Sequence, residues 1–438
     1  MHAPEAAPRP ALRAIDGMAM VIGLVIGAGI FKAPAVVAAS LDSEPAILLC
    51  WLLGGAVSMV GALCYAELAA AFPDAGGEYH FLQRAYGRTV GFVFAWSRML
   101  ILQTGSIALL AFVVGDYAAE LLPLGPNGTA WFAGAAVLAL TALNLAGLRS
   151  STAVQKMLAV LTLGGLVTVI GAGLLTPAAP TQSAVIQPAH DGAFGLAMVF
   201  VLLTYGGWNE AAYVSAELRD VQRNMVKVLL LSLGVVTGVY LLVNFAYLKV
   251  LGIVPMAQSE AVTADLVRVT MGPGGARLIS VLILAAVVSS LNVTIFTGAR
   301  TNYALARDFP LFAFLGHWSV HTNAPTHALL VQGAITLLLV AAGATSRSGF
   351  EAMVSYVSPV FWLFFLLTTM ALIVLRRREP ARVRPYRVPG YPVTPALFAV
   401  ACAYMLYASL VYSGWGALFG IVLAASGLPL ALLRRHAR

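Results

Sequence analysis

Apolar runs dominate this chain and fix the solvent it can fold in. About twelve of them, each roughly 18–28 residues long, follow one another, and as helices each can cross a ~30 Å hydrocarbon core. They fall near 15–40, 45–72, 90–120, 130–148, 155–177, 193–217, 226–250, 277–305, 326–345, 351–375, 395–413 and 416–433. Barrel strands would alternate in polarity over about ten residues, and these runs do not. Only 10% of the residues are charged and the mean hydropathy is +0.87. Soluble domains carry about 25% charge, so the expectation is an all-α, polytopic membrane protein.

Two of the runs are broken by glycine near their middles, in corresponding places. One reads Gly23-Leu24-Val25-Ile26-Gly27-Ala28-Gly29-Ile30-Phe31, the other Leu203-Thr204-Tyr205-Gly206-Gly207-Trp208-Asn209-Glu210. An unwound turn at mid-membrane exposes N–H and C=O groups that hydrocarbon cannot satisfy. It persists only where it is packed in protein or lines a cavity. Matching broken spans in two halves point to a solute-binding site in a secondary transporter.

The net charge of +8 does not signal nucleic acid, because its placement follows the loops. Lys32, Lys249, Arg268, Arg277 and Arg347 flank one set of alternate loops, and Arg98 falls within a span. The remaining basic residues, from Arg9 and Arg13 through the Arg376–Arg387 cluster to Arg434, Arg435 and Arg438, flank the other set. The positive-inside rule places both termini in the cytoplasm of a plasma (cell inner) membrane protein. Spans 1 and 6 then run in opposite directions, which implies a 5+5 inverted repeat with discontinuous helices 1 and 6. The expected organisation is a tail over 1–14, repeats over 15–192 and 193–376, a basic loop over 377–394, and spans 11 and 12 with a tail over 395–438. Cys50, Cys64 and Cys402 all lie within spans, where no external disulfide forms.

Four motifs in order carry a family resemblance. They are Gly23–Phe31 with Pro34; Tyr65-Ala-Glu-Leu68 with Phe72–Tyr79; Tyr205–Asn209 with Tyr213–Leu218; and Arg300 with Tyr303–Asp308 and Asn323-Ala-Pro325. On these the chain resembles the amino acid–polyamine–organocation superfamily, in its L-amino acid transporter branch. The resemblance implies the LeuT-type fold and a cargo of amino acids or related amines.

A zwitterion in a low-dielectric cavity needs N–H donors for its carboxylate and carbonyls for its ammonium. The half-helix that follows a break at Gly27–Gly29 offers free N–H groups and the positive end of its dipole. Ile26, Gly27, Ala28, Gly29 and Ile30, with Tyr205, Gly206, Gly207, Trp208 and Asn209, are therefore the candidate binding residues. The resemblance assigns the first break to the carboxylate, the second to the amine, and a gating role to Trp208. Against this stands close helix packing through the small residues Gly23 and Gly27.

Glu210 is an intramembrane acid, and such groups are functional candidates by default. It either faces the cavity and selects cationic cargo, titrates protons, or pairs with a base. Arg98, equally buried in its span, is a candidate partner for an acid. Glu67 and Glu217 are expected nearer the cytoplasmic ends in structural roles. No cofactor is expected, with Na+ or H+ as the candidate coupling ion. The resemblance implies that relatives without sodium dependence carry lysine where this chain has Thr162, and Lys156 stands six residues too early. Ser289 and Ser290 resemble a sodium-ligating hydroxyl pair, and hydroxyl oxygen suits a hard cation. Alternatively they bond their own helix carbonyls. His317, His321 and His327 lack a Cys or carboxylate cluster and read as solvated loop residues rather than a metal site. Relatives that pair with a glycoprotein heavy chain use a cysteine between spans 3 and 4, which this chain lacks. No disulfide-linked partner is expected, leaving the amino acid and the bilayer. An integral membrane enzyme is disfavoured by the lack of HExxH and GxSxG, and an ATP-driven pump by the lack of a P-loop. A channel is disfavoured because two different broken helices are not repeated pore-lining rings. The leading reading is a secondary amino acid transporter working by exchange or cation symport, and the runner-up is an amine or polyamine permease.

Overall fold

The computed structural model describes residues 13–74, 76–147, 152–178, 193–212, 218–319, 321–322, 324–346, 348–413 and 415–433. Tyr213–Glu217, Asn323, Arg9, Arg149, Arg347, Arg434, Arg435, Arg438 and the Lys156 side chain lie outside what is described.

Every expected span corresponds to a helix or a pair of helices, and among the described residues no strand forms beyond an isolated bridge between Ser319 and Ala324. Span 1 is Ala14–Val25 and Ala33–Ser40, joined by a 3-10 turn at Ala28–Phe31. Span 2 is Glu44–Ala71, and a short helix, Glu78–Tyr86, follows it. Span 3 runs as Arg88–Ser97, a π-helical turn at Arg98–Leu102, and Gln103–Leu121. Spans 4 and 5 are Gly128–Leu145 and Thr152–Leu175. Span 6 is Ala193–Thr204 followed by a 3-10 turn at Trp208–Ala212. Spans 7 to 12 are Val221–Leu251, Val262–Asp308, Thr326–Gly343, Gly349–Arg378, Val393–Ser413, and the pair Trp415–Ala425 and Gly427–Leu433. Among the described residues, eight helical stretches are long and apolar enough to cross a membrane. The others are the broken, incompletely described or paired ones, so breakage rather than polarity keeps them from qualifying singly.

The stretch Val262–Asp308 is two helices meeting at Gly272, whose φ +78° and ψ −178° are not helical, just ahead of Pro273, so span 8 itself starts after Gly272, near the expected residue 277. Glycine tolerates that angle, and proline in the first turn of the following helix needs no N–H partner, so the two together separate the helices.

Spans 1 and 6 sit at the centre. The first half of span 1 packs on span 7, and its second half packs on the first half of span 6. Around them, span 2 contacts spans 6, 7, 10 and 11, span 3 contacts 4, 8 and 10, and span 5 contacts 7 and 8. Spans 4 and 9 touch, as do spans 8 and 9. Glycines on span 2 permit these approaches. A Cβ on Gly54 would lie 2.3 Å from Val201 of span 6, and one on Gly55 2.3 Å from Thr237 of span 7. Small residues at such crossings let backbones approach where no hydrophobic force drives association.

One end of the bundle is strongly basic and well braced. Buried Glu67, at the end of span 2, accepts from Arg376 Nε at 2.7 Å and from the backbone N–H of Val388 at 2.7 Å. Arg384 lies 3.6 Å from the same carboxylate, and Arg84 makes a two-point pair with Glu379 at 2.8 and 2.9 Å. These contacts tie the chain between spans 10 and 11 onto spans 2 and 10. At the opposite end, Lys32 after the first break pairs with Asp116 of span 3 at 2.7 Å and donates to the Glu260 carbonyl at 3.0 Å. Arg268 bonds Glu120 and Asp265 beside it.

Candidate functional site at two facing helix breaks

The two glycine breaks meet in the interior. Gly207 takes φ +108°, and a Cβ there would lie 2.8 Å from the Leu24 carbonyl oxygen of span 1. From the other side, a Cβ on Gly29 would lie 3.0 Å from the Thr204 side chain of span 6. Glycine is therefore required twice, for backbone angle at Gly207 and for close approach at both.

Tyr240 of span 7 bridges the breaks. Its buried hydroxyl donates to the Val25 carbonyl at 2.7 Å, with the Thr204 carbonyl 3.2 Å away. These are the last helical residues before each break. The ring is held against Trp51 and Tyr205, with centroids 5.5 and 5.0 Å away.

Some backbone groups at the breaks are already engaged. The Gly27 N–H donates to the Val25 carbonyl at 2.8 Å, Gly206 to Leu203 at 3.0 Å, and Gly207 to Asn209 Oδ1 at 3.3 Å. Gly27 thus serves the turn with its N–H, which shifts the donor role at the first break towards Ala28, Gly29 and Ile30. Those three open the 3-10 turn, where helix starts leave N–H groups without intrahelical partners, and Gly27 supplies no side-chain cap.

Two aromatic residues flank the second break. Tyr205 is buried, and its hydroxyl donates to the Trp51 carbonyl at 3.0 Å. Trp208 is also buried, its ring edge-on to Tyr65 and Phe365 at 5.0 and 5.6 Å. It forms one wall of a cavity with Ser58, Leu202, Gly206, Trp362 and Phe365, so the cavity adjoins the second break through Gly206.

Charge gathers on the basic-end side of that break. Arg98, at the π turn of span 3, lies 3.4 Å from Glu210. Glu78, the first residue of the helix between spans 2 and 3, accepts from the Tyr65 hydroxyl at 2.5 Å and from Asn209 Nδ2 at 3.5 Å. Burial, reinforced by the nearby Glu210, raises the Glu78 carboxyl to about 6 against the opposing pull of Tyr65, Arg98 and Asn209.

The proposed coupling residues are spread more widely. Thr162 is half-buried on span 5, which packs along span 8. Ser289 and Ser290 are half-buried on span 8, and Ser290 Oγ donates to its own helix at the Ala286 carbonyl, 3.2 Å away. His317 and His327 stack at 4.5 Å, and among the described residues no group of three or more His, Cys, Asp or Glu could hold a metal ion.

The profile of the family described as amino acid permease matches residues 15–423. The chain belongs to the amino acid permease family. Among this permease's relatives, the serine/threonine exchanger SteT of Bacillus subtilis is 28% identical over 435 residues, covering 98% of each chain. Human Asc-type amino acid transporter 1 is 30% identical over 453 residues, covering 98% of this chain and 84% of the relative. Human b(0,+)-type amino acid transporter 1 is 27% identical over 432 residues, covering 96% and 87%.

Sequence reasoning missed Tyr240, Tyr65 and Glu78. Glu78 lies within a motif quoted above, but nothing in a linear sequence brings it to Asn209. Tyr240 carries no motif; its only signal is a phenol in the middle of an apolar span.

Proposed function

We propose that this permease moves amino acids across the plasma membrane by alternating access, exchanging cargo on one side for cargo on the other. The observation that carries the reading is the pair of glycine breaks facing each other and bridged by Tyr240. Irregular backbone at this depth persists where it is packed in protein or lines a cavity, and here it adjoins one. The N–H groups of Ala28, Gly29 and Ile30 are matched to a carboxylate, and the carbonyls of Ile26, Tyr205 and Gly206 to an ammonium. The substrate side chain extends towards the cavity that Gly206 shares with Trp208, where that ring acts as a wall or gate.

The basic end is cytoplasmic, with both termini, because Lys and Arg are retained on that side. Spans 1–5 and 6–10 are inverted repeats. Support comes from the contacts: exchanging each span n with n+5 turns the 1–7 contact into 6–2, 5–8 into 10–3, 3–4 into 8–9 and 5–7 into 10–2, and all of these pairs touch. Pairing of Glu210 with Arg98 neutralises the acid that would attract amines, which favours amino acids over polyamines. The name of the Bacillus relative supports exchange. Sodium symport through Thr162, Ser289 and Ser290 has less support, since Ser290 bonds its own helix.

The test is uptake of radiolabelled L-amino acids by purified protein in liposomes, preloaded or empty, with and without a sodium gradient and unlabelled competitors. Exchange predicts uptake only into preloaded vesicles. Sodium-driven uptake into empty vesicles would replace exchange with symport, and competition by amines alone would replace the cargo.

A further inference from the structure

Glu78 is a carboxylate without an obvious task in holding amino acids, yet it is tied to both residues that follow the second break. Its partner Tyr65 lies edge-on to Trp208 at 5.0 Å, and its other partner, Asn209, holds the Gly207 N–H through Oδ1 at 3.3 Å. One acid therefore reaches Gly207, Trp208 and Asn209 through two side chains. It is buried, only 4% exposed, and shares its surroundings with a second carboxylate, Glu210, and with Arg98. Arg98 already stands 3.4 Å from Glu210. Glu78, Glu210 and Arg98 thus form one charged cluster beside the second break.

We propose that Glu78 is a proton-binding site that governs the span-6 break. Ionised, it accepts from Tyr65 and Asn209 and holds Gly207, Trp208 and Asn209 in the arrangement seen here; protonated, it gives up the charge-assisted bonds and lets the break move. The inference rests on the transport reading above. The acid arrangement fits it: burial and Glu210 raise the Glu78 carboxyl to about 6, within reach of physiological pH changes. Other charged groups around this helix have partners other than Glu78. Arg84 is paired with Glu379, His80 lies 3.6 Å from Asp74, and Arg378 of span 10 donates to the Ala85 carbonyl at 2.7 Å. A group titrating near 6 passes from about one-tenth to about nine-tenths protonated between pH 7 and 5.

The experiment measures exchange of a radiolabelled mixture of the proteinogenic L-amino acids in liposomes, with equal pH on both sides, from pH 5 to 8. Wild-type exchange should rise up to about ninefold from pH 7 to 5, with its inflection near pH 6. Glu78→Gln should be flat across the range, at the wild-type acid level. Glu210→Gln should keep the inflection and move it to lower pH, because a neighbouring negative charge is gone. An active wild type with a flat profile overturns the proposal, as does an inflection that survives in Glu78→Gln. If Glu78→Gln does not fold, an unmoved inflection in Glu210→Gln overturns it and an acid shift supports it. Absence of wild-type exchange at every pH overturns the transport reading together with this inference.

Discussion

Replacing Tyr240 by phenylalanine removes one hydroxyl and leaves the ring in place. The ring contacts to Trp51 and Tyr205 survive, so the variant isolates the bond that joins the two breaks. The bond to Val25 at 2.7 Å is the stronger partner, and the Thr204 carbonyl at 3.2 Å shares the same hydrogen. Val25 keeps a second donor, the Gly27 N–H at 2.8 Å, so its carbonyl is not orphaned. Loss of one buried bond with partial compensation costs about 1–2 kcal/mol. If the breaks hold substrate, that cost appears in binding, and at 1.4 kcal/mol per tenfold it weakens affinity roughly 5- to 30-fold. Equilibrium binding of a labelled substrate to purified Tyr240→Phe measures this directly. The thermal midpoint, read on the same sample, should fall modestly. Wild-type affinity and an unchanged midpoint in Tyr240→Phe would refute the claim that this hydroxyl organises the site.

Gly207→Ala should abolish transport while the protein remains extractable, since a methyl 2.8 Å from the Leu24 carbonyl adds to a φ that disfavours any side chain; normal uptake by this variant would show that the breaks are not packed as described. Lys32→Met strands Asp116 among buried groups and should destabilise the protein by about 3–5 kcal/mol, more than Lys32→Met combined with Asp116→Leu, as thermal unfolding in detergent would show. Glu78 also sets a pH trend in stability. Its carboxyl is raised to about 6 from an unfolded value near 4.3, so the folded state binds the proton more tightly. The stabilisation is complete below about pH 4.3 and is lost as pH rises through 6, an effect of roughly 2 kcal/mol. Thermal midpoints at pH 5 and 7 should therefore differ more in wild type than in Glu78→Gln; equal differences would contradict the assignment.

Much of the frame could be read in the sequence because membrane solvent makes it explicit. A run of some twenty apolar residues has few alternatives to a helix, and glycine clusters in corresponding places of two such runs mark where a span can unwind. The breaks at Gly27–Gly29 and Gly206–Gly207 follow from those two rules. Pairwise relations were less legible. Arg98 and Glu210 stood out individually as charges within apolar spans, but nothing in the linear sequence brings the π turn of span 3 beside the second break, where the two pair. Tyr240 is indistinguishable from a packed aromatic until the carbonyls of Val25 and Thr204 are both in view. The start expected for span 8 near 277 agrees with the break at Gly272 and Pro273, while the separate helix that precedes it carries too mixed a pattern to be read as part of a span.

The central claim is that the two breaks hold a zwitterionic amino acid. A cryo-electron microscopy map of the protein with its transported amino acid bound tests it most directly. The account predicts a carboxylate within hydrogen-bond distance of the Ala28, Gly29 or Ile30 N–H groups, and an ammonium on the carbonyls of Ile26, Tyr205 or Gly206. An amino acid bound elsewhere, with both breaks empty and still joined through Tyr240, would contradict it.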